Sequence, residues 1–354
     1  MRLPTGLYLL TFWLPFTPVK IIEFKGDRLS TSVSAEDISK AKTEGSSVAL
    51  RTPKQIAWAK YRANKVGVIS TFVVLFFIFL AYGAPLVTRI FNVTSTDIYL
   101  DLLDDNGNPV GKFGGMSFAH PFGIEPGAGR DVFAMLLYGS RISFSVAIIS
   151  SVSAIGIGML LGITAGYFRG KVDAVIGRFS DLLFAFPSFF MIIALSKPMV
   201  ERVESLGIVR DNGARLTVLI IFFVFFGWTG FARLIRSQAL SLRERDFIMA
   251  AQAQGASNWR IITKEMLPNL WTTAIVFLSL SLPGYLAAEA VFSFLGVGIN
   301  PPASTFGLVL SDAIKYWRTD TAYLLIPCIM LITIVLALNL LGDAVRDALD
   351  AKGT

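Results

Sequence analysis

RLIRSQALSLRERDFIMAAQAQGASNWRIITKEMLPNL, residues 233–270, decides how the rest of the chain is read. It joins two apolar stretches and is far longer than a tight connection between them requires. Its composition is not that of a disordered linker. The alanines of MAAQAQ favour helix. Gly255 then offers a break, and Ser257 is placed to cap a second short helix. Ile261, Ile262 and Leu267 give that second helix an apolar face, and Pro268 lies at its end. Two short helices at an angle form a knob, ringed by Arg243, Arg245 and Arg260. Two readings stand from the residues alone: a helix pair lying on a membrane surface, or a knob that fits a groove on another protein.

The sequence on either side is that of a membrane protein. Hydrophobic residues make up 54% of the 354 and charged residues only 16%, against about 25% charged in an average soluble domain. One soluble core of this size does not hide that much apolar surface. A spanning helix needs roughly 20 apolar residues. Val66–Thr88, Ile142–Phe168, Leu216–Ala232, Met266–Leu295 and Thr321–Gly342 qualify or nearly do, and Leu182–Ser196 is short and borrows turns from its flanks. The expectation is an all-α polytopic membrane protein with six spans at 66–88, 142–168, 179–196, 216–233, 270–295 and 321–342. A loop at 234–269 then lies inside a membrane domain at 66–342, between an N-terminal extension at 1–65 and a tail at 343–354.

Orientation follows from basic residues. With both termini in the cytoplasm, the inner pieces hold 22 of the 32 Lys and Arg, the bias expected of cytoplasmic loops. The net charge of +7 is therefore a topology signal, and nucleic acid is not an expected partner. Residues 6–16 (GLYLLTFWLPF) are too short to span and carry no typical cleavage site. They are read as a surface-lying segment, with a seventh span as the sharper alternative. Residues 25–55 read as a polar linker, and 53–65 as a basic, aromatic helix on the inner leaflet. Phe91–Ser140 is too long for a turn and is rich in turn residues. It is either an ordered extracytoplasmic loop that touches a partner or a solvated connector.

Enzymatic chemistry finds little support. His120 is the only histidine and Cys328 the only cysteine, so no His-based catalytic site or Cys/His metal cluster is expected. The second span carries Ala154, Gly158, Gly162 and Gly166 at four-residue intervals, one stripe on a helix. Such a stripe lets another helix approach closely; packing and lining of a pathway are the two readings. Glu289 lies in the fifth span after Pro283 and Gly284, with Ser293 one turn further on. A carboxyl at that depth is costly unless it is paired or meets water. It is read as a hydrogen-bonding anchor or, with Pro283 and Ser293, as part of a pathway or gate. The scarcity of other ionisable residues in the spans argues against an ion-coupled carrier or channel.

AAQAQGASNWRIITKEMLPN (250–269) resembles the "EAA" cytoplasmic loop of ATP-binding cassette (ABC) importer permeases. The family's alanine pair falls on Ala250 and Ala251, its glycine on Gly255, and its Leu-Pro on Leu267 and Pro268. Met249 stands where the family usually has glutamate, and Glu265 where peptide-type members often have histidine. HPFGIEPGAGRDVFAMLLYGSRIS (120–143), GYFRGKVDAVIGRFSDLLFAFPSFF (166–190), EAVFSFLGVGINPPASTFG (289–307) and NLLGDAVRDALD (339–350) resemble segments of the dipeptide/oligopeptide/nickel subfamily, and of its second, C-type permease. The resemblance covers about residues 55–350 and implies the type I importer architecture. It implies a coupling loop built on Ala250, Ala251, Gly255, Ala256, Arg260, Leu267 and Pro268. The implied partners are a sister permease, two ATPase subunits that bind the ATP and Mg, and an extracytoplasmic solute-binding protein. No nucleotide loop is expected in this chain, and it has no Gly-x-x-x-x-Gly-Lys-Ser/Thr motif. The implied location is a prokaryotic inner membrane. The implied cargo is di- or oligopeptides, with nickel chelates or another small solute as the alternative.

Overall fold

Eleven helices carry the described part of the chain, residues 52–350 of a computed structural model. The expectations for residues 6–16 and most of those for 25–55 lie outside the described residues. Strand geometry among the described residues is limited to three isolated bridges in the segment between residues 98 and 131.

The first helix, α1 (Pro53–Ala63), starts at a reciprocal capping box between Thr52 and Gln55. α2 (Lys65–Tyr82) follows, capped by Asn64. It presents Ile69, Phe72, Phe76 and Phe79 outward, as a lipid-facing helix does. The 66–88 span is not one helix: Gly83 breaks it, and Pro85 stands in the first turn of α3 (Ala84–Phe91).

α4 (Val132–Phe168) begins ten residues before the expected 142, because Asp131 caps it and the charge of Arg141 interrupts the apolar run without interrupting the helix. The third span is two helices, α5 (Gly170–Ala185) and α6 (Ser188–Ser205), bent by 86°. The bend falls at Phe186–Pro187, inside the expected 179–196. Proline denies the ladder an N–H and forces the preceding residue into extended backbone, and Phe186 has ψ 131°.

α7 (Asp211–Arg243) overruns the expected 216–233 at both ends. A short helix α8 (Asp246–Ala253) and then α9 (Asn258–Phe294) follow. The expected short second helix of the loop is therefore the beginning of the fifth span. Pro268 does not end it: a π-helical turn at Ile261–Met266 lets the Leu267 N–H reach back to the Ile262 carbonyl and absorbs the proline's missing donor. α10 (Phe306–Ala313) and α11 (Thr321–Leu349) complete the chain.

Among the described residues five helices are long and apolar enough to cross a membrane, or six if the bent pair α5–α6 counts as one span. α4 and α7 form the most extensive pair. α9 packs on both α4 and α11, and α2 packs on α11.

Candidate functional site

The knob is smaller than the loop from which it was read. Residues 234–243 are the end of α7, and those from 258 onward belong to α9. What projects is α8 and the turn that follows. Gly255 has φ +78°, a conformation only glycine adopts without strain, and Ser257 accepts from the Arg260 N–H at 3.3 Å to start α9.

Helical phase divides the knob into two faces. Ile248 on α8 is fully buried with Ile261 and Met266 of α9. They pack on Tyr167 of α4 and on Phe231, Ile235 and Ala239 of α7, with Ala251, Ala256 and Leu267 half-buried at the margin. Tyr167 ties the end of α4 to the knob, its hydroxyl donating to Asn258 Oδ1 at 2.8 Å while Arg243 lies over its ring. Arg169 adds an exposed pair to Glu244 at 2.6 Å. The opposite face carries Phe247, Met249 and Trp259, 42%, 50% and 69% exposed, beside exposed Ala250, Gly255, Arg245, Arg260 and Pro268. Of the residues singled out, Ala251, Ala256 and Leu267 thus fasten the knob to the body, and Ala250, Gly255, Arg260 and Pro268 face outward. Phe247 and Trp259 escaped the sequence reading; the i, i+3 spacing of Ile248 and Ala251 was the signal for which face looks out.

The small-residue stripe connects this end to the other. A Cβ on Gly158 would stand 2.8 Å from the Trp228 carbonyl oxygen, one on Gly162 2.6 Å from that of Ala232, and one on Gly166 2.6 Å from the Ala239 Cβ. Ala154 continues the stripe opposite Gly227. Backbone thus meets backbone along α4 and α7.

At the end of α4 away from the knob, the segment before the helix is an ordered cap. The Arg130 guanidinium grips Glu125 through two hydrogen bonds, 2.5 Å to Oε2 and 2.8 Å to Oε1, and donates to the Pro302 carbonyl at 3.3 Å. The Tyr323 hydroxyl donates to Glu125 Oε1 at 3.2 Å, and so pins the cap to α11. Asp131 accepts the Ala134 N–H at 2.7 Å and holds His120 Nδ1 at 2.7 Å. Burial pushes the Asp131 carboxyl above its usual range, opposed by those two hydrogen bonds. His120, the lone histidine, is therefore a structural partner of a helix cap.

Glu289 is fully buried, and Ser293 Oγ donates to its Oε1 at 2.6 Å. Pro283 is buried further down α9. A cavity of about 390 Å³ between α6, α7 and α9 is lined by Phe189, Phe223, Ser281, Tyr285, Ala288 and Phe292. Glu289, Pro283 and Ser293 do not line it. The structure brings Glu289 and Ser293 together and turns both toward α4 and the turn before α10.

Residues 158–352 match the family described as binding-protein-dependent transport system inner membrane component, and residues 52–104 match the N-terminal TM domain of oligopeptide transport permease C. A dipeptide transport system permease protein, DppC, of Alkalihalophilus pseudofirmus is 34% identical over 85% of this chain and 90% of its own. A glutathione transport system permease protein, GsiD, of Pectobacterium atrosepticum is 32% identical over 86% and 92%. A solved chain of the MetNI methionine ABC transporter aligns with a TM-score of 0.43 at 16% identity, over 59% of this chain and 94% of that one, a likeness too slight to carry an argument. The chain belongs to the inner-membrane component family of binding-protein-dependent transport systems: it is the multi-pass, non-catalytic permease subunit of a bacterial ABC importer that works with ATPase subunits.

Proposed function

We propose that this permease moves di- or oligopeptides, handed over by an extracytoplasmic solute-binding protein, into the cytoplasm. The names of its relatives support the cargo: one serves dipeptides and another glutathione, itself a small peptide. Its partners in this reading are a sister permease and two ATPase subunits, which bind the ATP and Mg, so that this chain needs no cofactor. Both termini face the cytoplasm.

The observation that carries the coupling role is the two-faced knob. Ile248, Ala251, Ala256 and Leu267 hold it to the ends of α4 and α7, while Phe247, Met249 and Trp259 leave apolar surface open at its tip. A surface of that kind marks a contact with something outside the chain. Docked in an ATPase groove, the knob passes motion directly into α7 and α9, because it is continuous with both. Ala250, Gly255, Arg260 and Pro268 belong to the docking face. At the outer end Glu289, Pro283 and Ser293 act as a gate rather than as wall, closing α9 against α4. Pro283 leaves the Ser279 carbonyl without its usual helical donor, a weak point about which α9 bends.

Uptake of labelled peptides into proteoliposomes holding this chain, its sister permease and the ATPases tests the proposal. ATP-dependent accumulation of a di- or tripeptide that requires the solute-binding protein is expected. Accumulation of a nickel chelate with no peptide uptake would overturn the cargo assignment.

A further inference from the structure

A second cavity, of about 480 Å³, lies toward the end of α4 that carries the cap. One face of α4 supplies Tyr138, Arg141, Ile142, Ser145 and Ile149 to it. Leu216 and Ile220 of α7, Ser95 and Thr96, and the turn at 302–304 complete the wall.

The turn is fastened on three sides. Arg130 donates to the Pro302 carbonyl at 3.3 Å and ties it to the cap. Asn212, at the start of α7, donates to the Asn300 carbonyl at 2.8 Å and accepts the Asn300 N–H at 2.7 Å. Gly139 lets the turn rest on α4: a Cβ there would stand 3.2 Å from Thr305 Cα and 3.3 Å from the Ser304 carbonyl oxygen. A wall already held in place loses little freedom when a ligand arrives.

Arg141 is the single charged residue in this wall. Among the described residues its guanidinium has no ion-pair partner. A guanidinium presents a rigid fork of donors that matches a carboxylate. The hydroxyls of Ser95, Thr96 and Tyr138 stand in the same wall, and Ser304 adds a buried hydroxyl without a partner. Ile142, Val146, Leu216 and Ile220 make the remainder apolar. One cation, a few hydroxyls and an apolar wall suit a small solute that carries a carboxylate and an apolar side chain. A phospholipid phosphate would meet the same cation, but a cavity of this size does not enclose two acyl chains.

We propose that this cavity receives the peptide cargo and that Arg141 holds the peptide's C-terminal carboxylate, with the Tyr138 hydroxyl donating beside it. The assignment rests on the peptide cargo and the orientation proposed above, which turns the cap end toward the solute-binding protein. Arg141 is then a specificity residue, and a peptide with a blocked C-terminus loses its contact.

The test is photo-labelling of the intact importer complex in lipid nanodiscs, without the solute-binding protein, by alanyl-benzoylphenylalanine and by its C-terminal amide. The free acid is expected to label residues 138–149 or 216–220, and the amide about tenfold less. Arg141→Gln is expected to lower labelling by the acid to the level of the amide, and Arg141→Lys to keep part of it. Equal labelling of wild type by acid and amide, labelling only outside the cavity, or unchanged labelling of Arg141→Gln would overturn the site. The comparison of acid with amide uses wild type alone and does not depend on the folding of a variant. Native mass spectrometry supplies the lipid arm: a phospholipid kept by wild type and lost from Arg141→Gln, with no peptide labelling, would give the cation to a headgroup and overturn the proposal. ATP-driven uptake of dipeptides by wild type, measured alongside with the solute-binding protein, separates the two readings. Uptake without labelling removes the site and leaves the cargo, whereas absence of both removes the cargo as well.

Discussion

The two ends of this permease solve opposite problems. The cap before α4 buries charge and satisfies it internally: Glu125 with Arg130 and Tyr323, and Asp131 with His120 and the first turn of α4. The knob leaves Phe247, Met249 and Trp259 open beside exposed Arg245 and Arg260. The buried charges of the cap need no partner, although Phe113, Phe118 and Leu100 in the same segment are themselves exposed. A region that exposes aromatic surface at the end of two long helices is unfinished until something covers it. The small-residue stripe of α4 against α7 runs between them, and in the coupling proposed above a movement of the knob travels along it.

The largest effect is expected at the knob. Gly255→Pro or Ala251→Arg should abolish uptake while the protein still inserts, measured as transport against the amount recovered in membranes. Pro cannot adopt φ +78°, and an arginine at 251 cannot stay at the margin of the apolar cluster. Wild-type uptake in either would remove the docking role. Next comes the cap. Arg130→Ala strands Glu125 and should cost about 3–5 kcal/mol in unfolding stability, whereas replacing both partners by apolar residues of similar size should cost much less. An equal loss in single and double variants would mean that the pair is not the organising element.

The stripe follows. Gly162→Val forces α4 off α7 at the Ala232 carbonyl and should cost about 1–3 kcal/mol, read from the same unfolding curves. A neutral outcome would show that the two helices can separate without cost, and the rigid link between the ends would fail. The smallest effect is expected from Glu289→Gln, which should assemble normally and slow transport a few-fold. Unchanged uptake would leave Glu289 as an anchor with no part in gating.

Much of this was legible in sequence where local chemistry decides. Alanines, Gly255 and Ser257 announce helix, break and cap, and structure places them so. The stripe at 154, 158, 162 and 166 is visible because helical period alone puts the four residues on one line. Helix ends were misread wherever a charge was taken for a boundary. Arg141, Arg233 and Arg236 end an apolar run but not a helix. Pro268 was misread as a stop because nothing local reveals the π turn that accommodates it. Pro187, equally a proline, does break its span. The cap was the least legible part. His120, Glu125, Arg130 and Asp131 all stand within one quoted segment, yet no periodicity relates residues brought together by glycine turns, and Tyr323 joins them from almost two hundred residues away.

The most direct test of the central claim is co-purification. The tagged chain, solubilised from its membranes, is expected to bring down a second permease and P-loop ATPases, with ATP hydrolysis in the eluate, and Ala251→Arg is expected to keep the second permease and lose the ATPases. A wild-type chain that purifies without any ATPase, or an Ala251→Arg chain that retains them in full, would contradict the assignment of the knob as the coupling element.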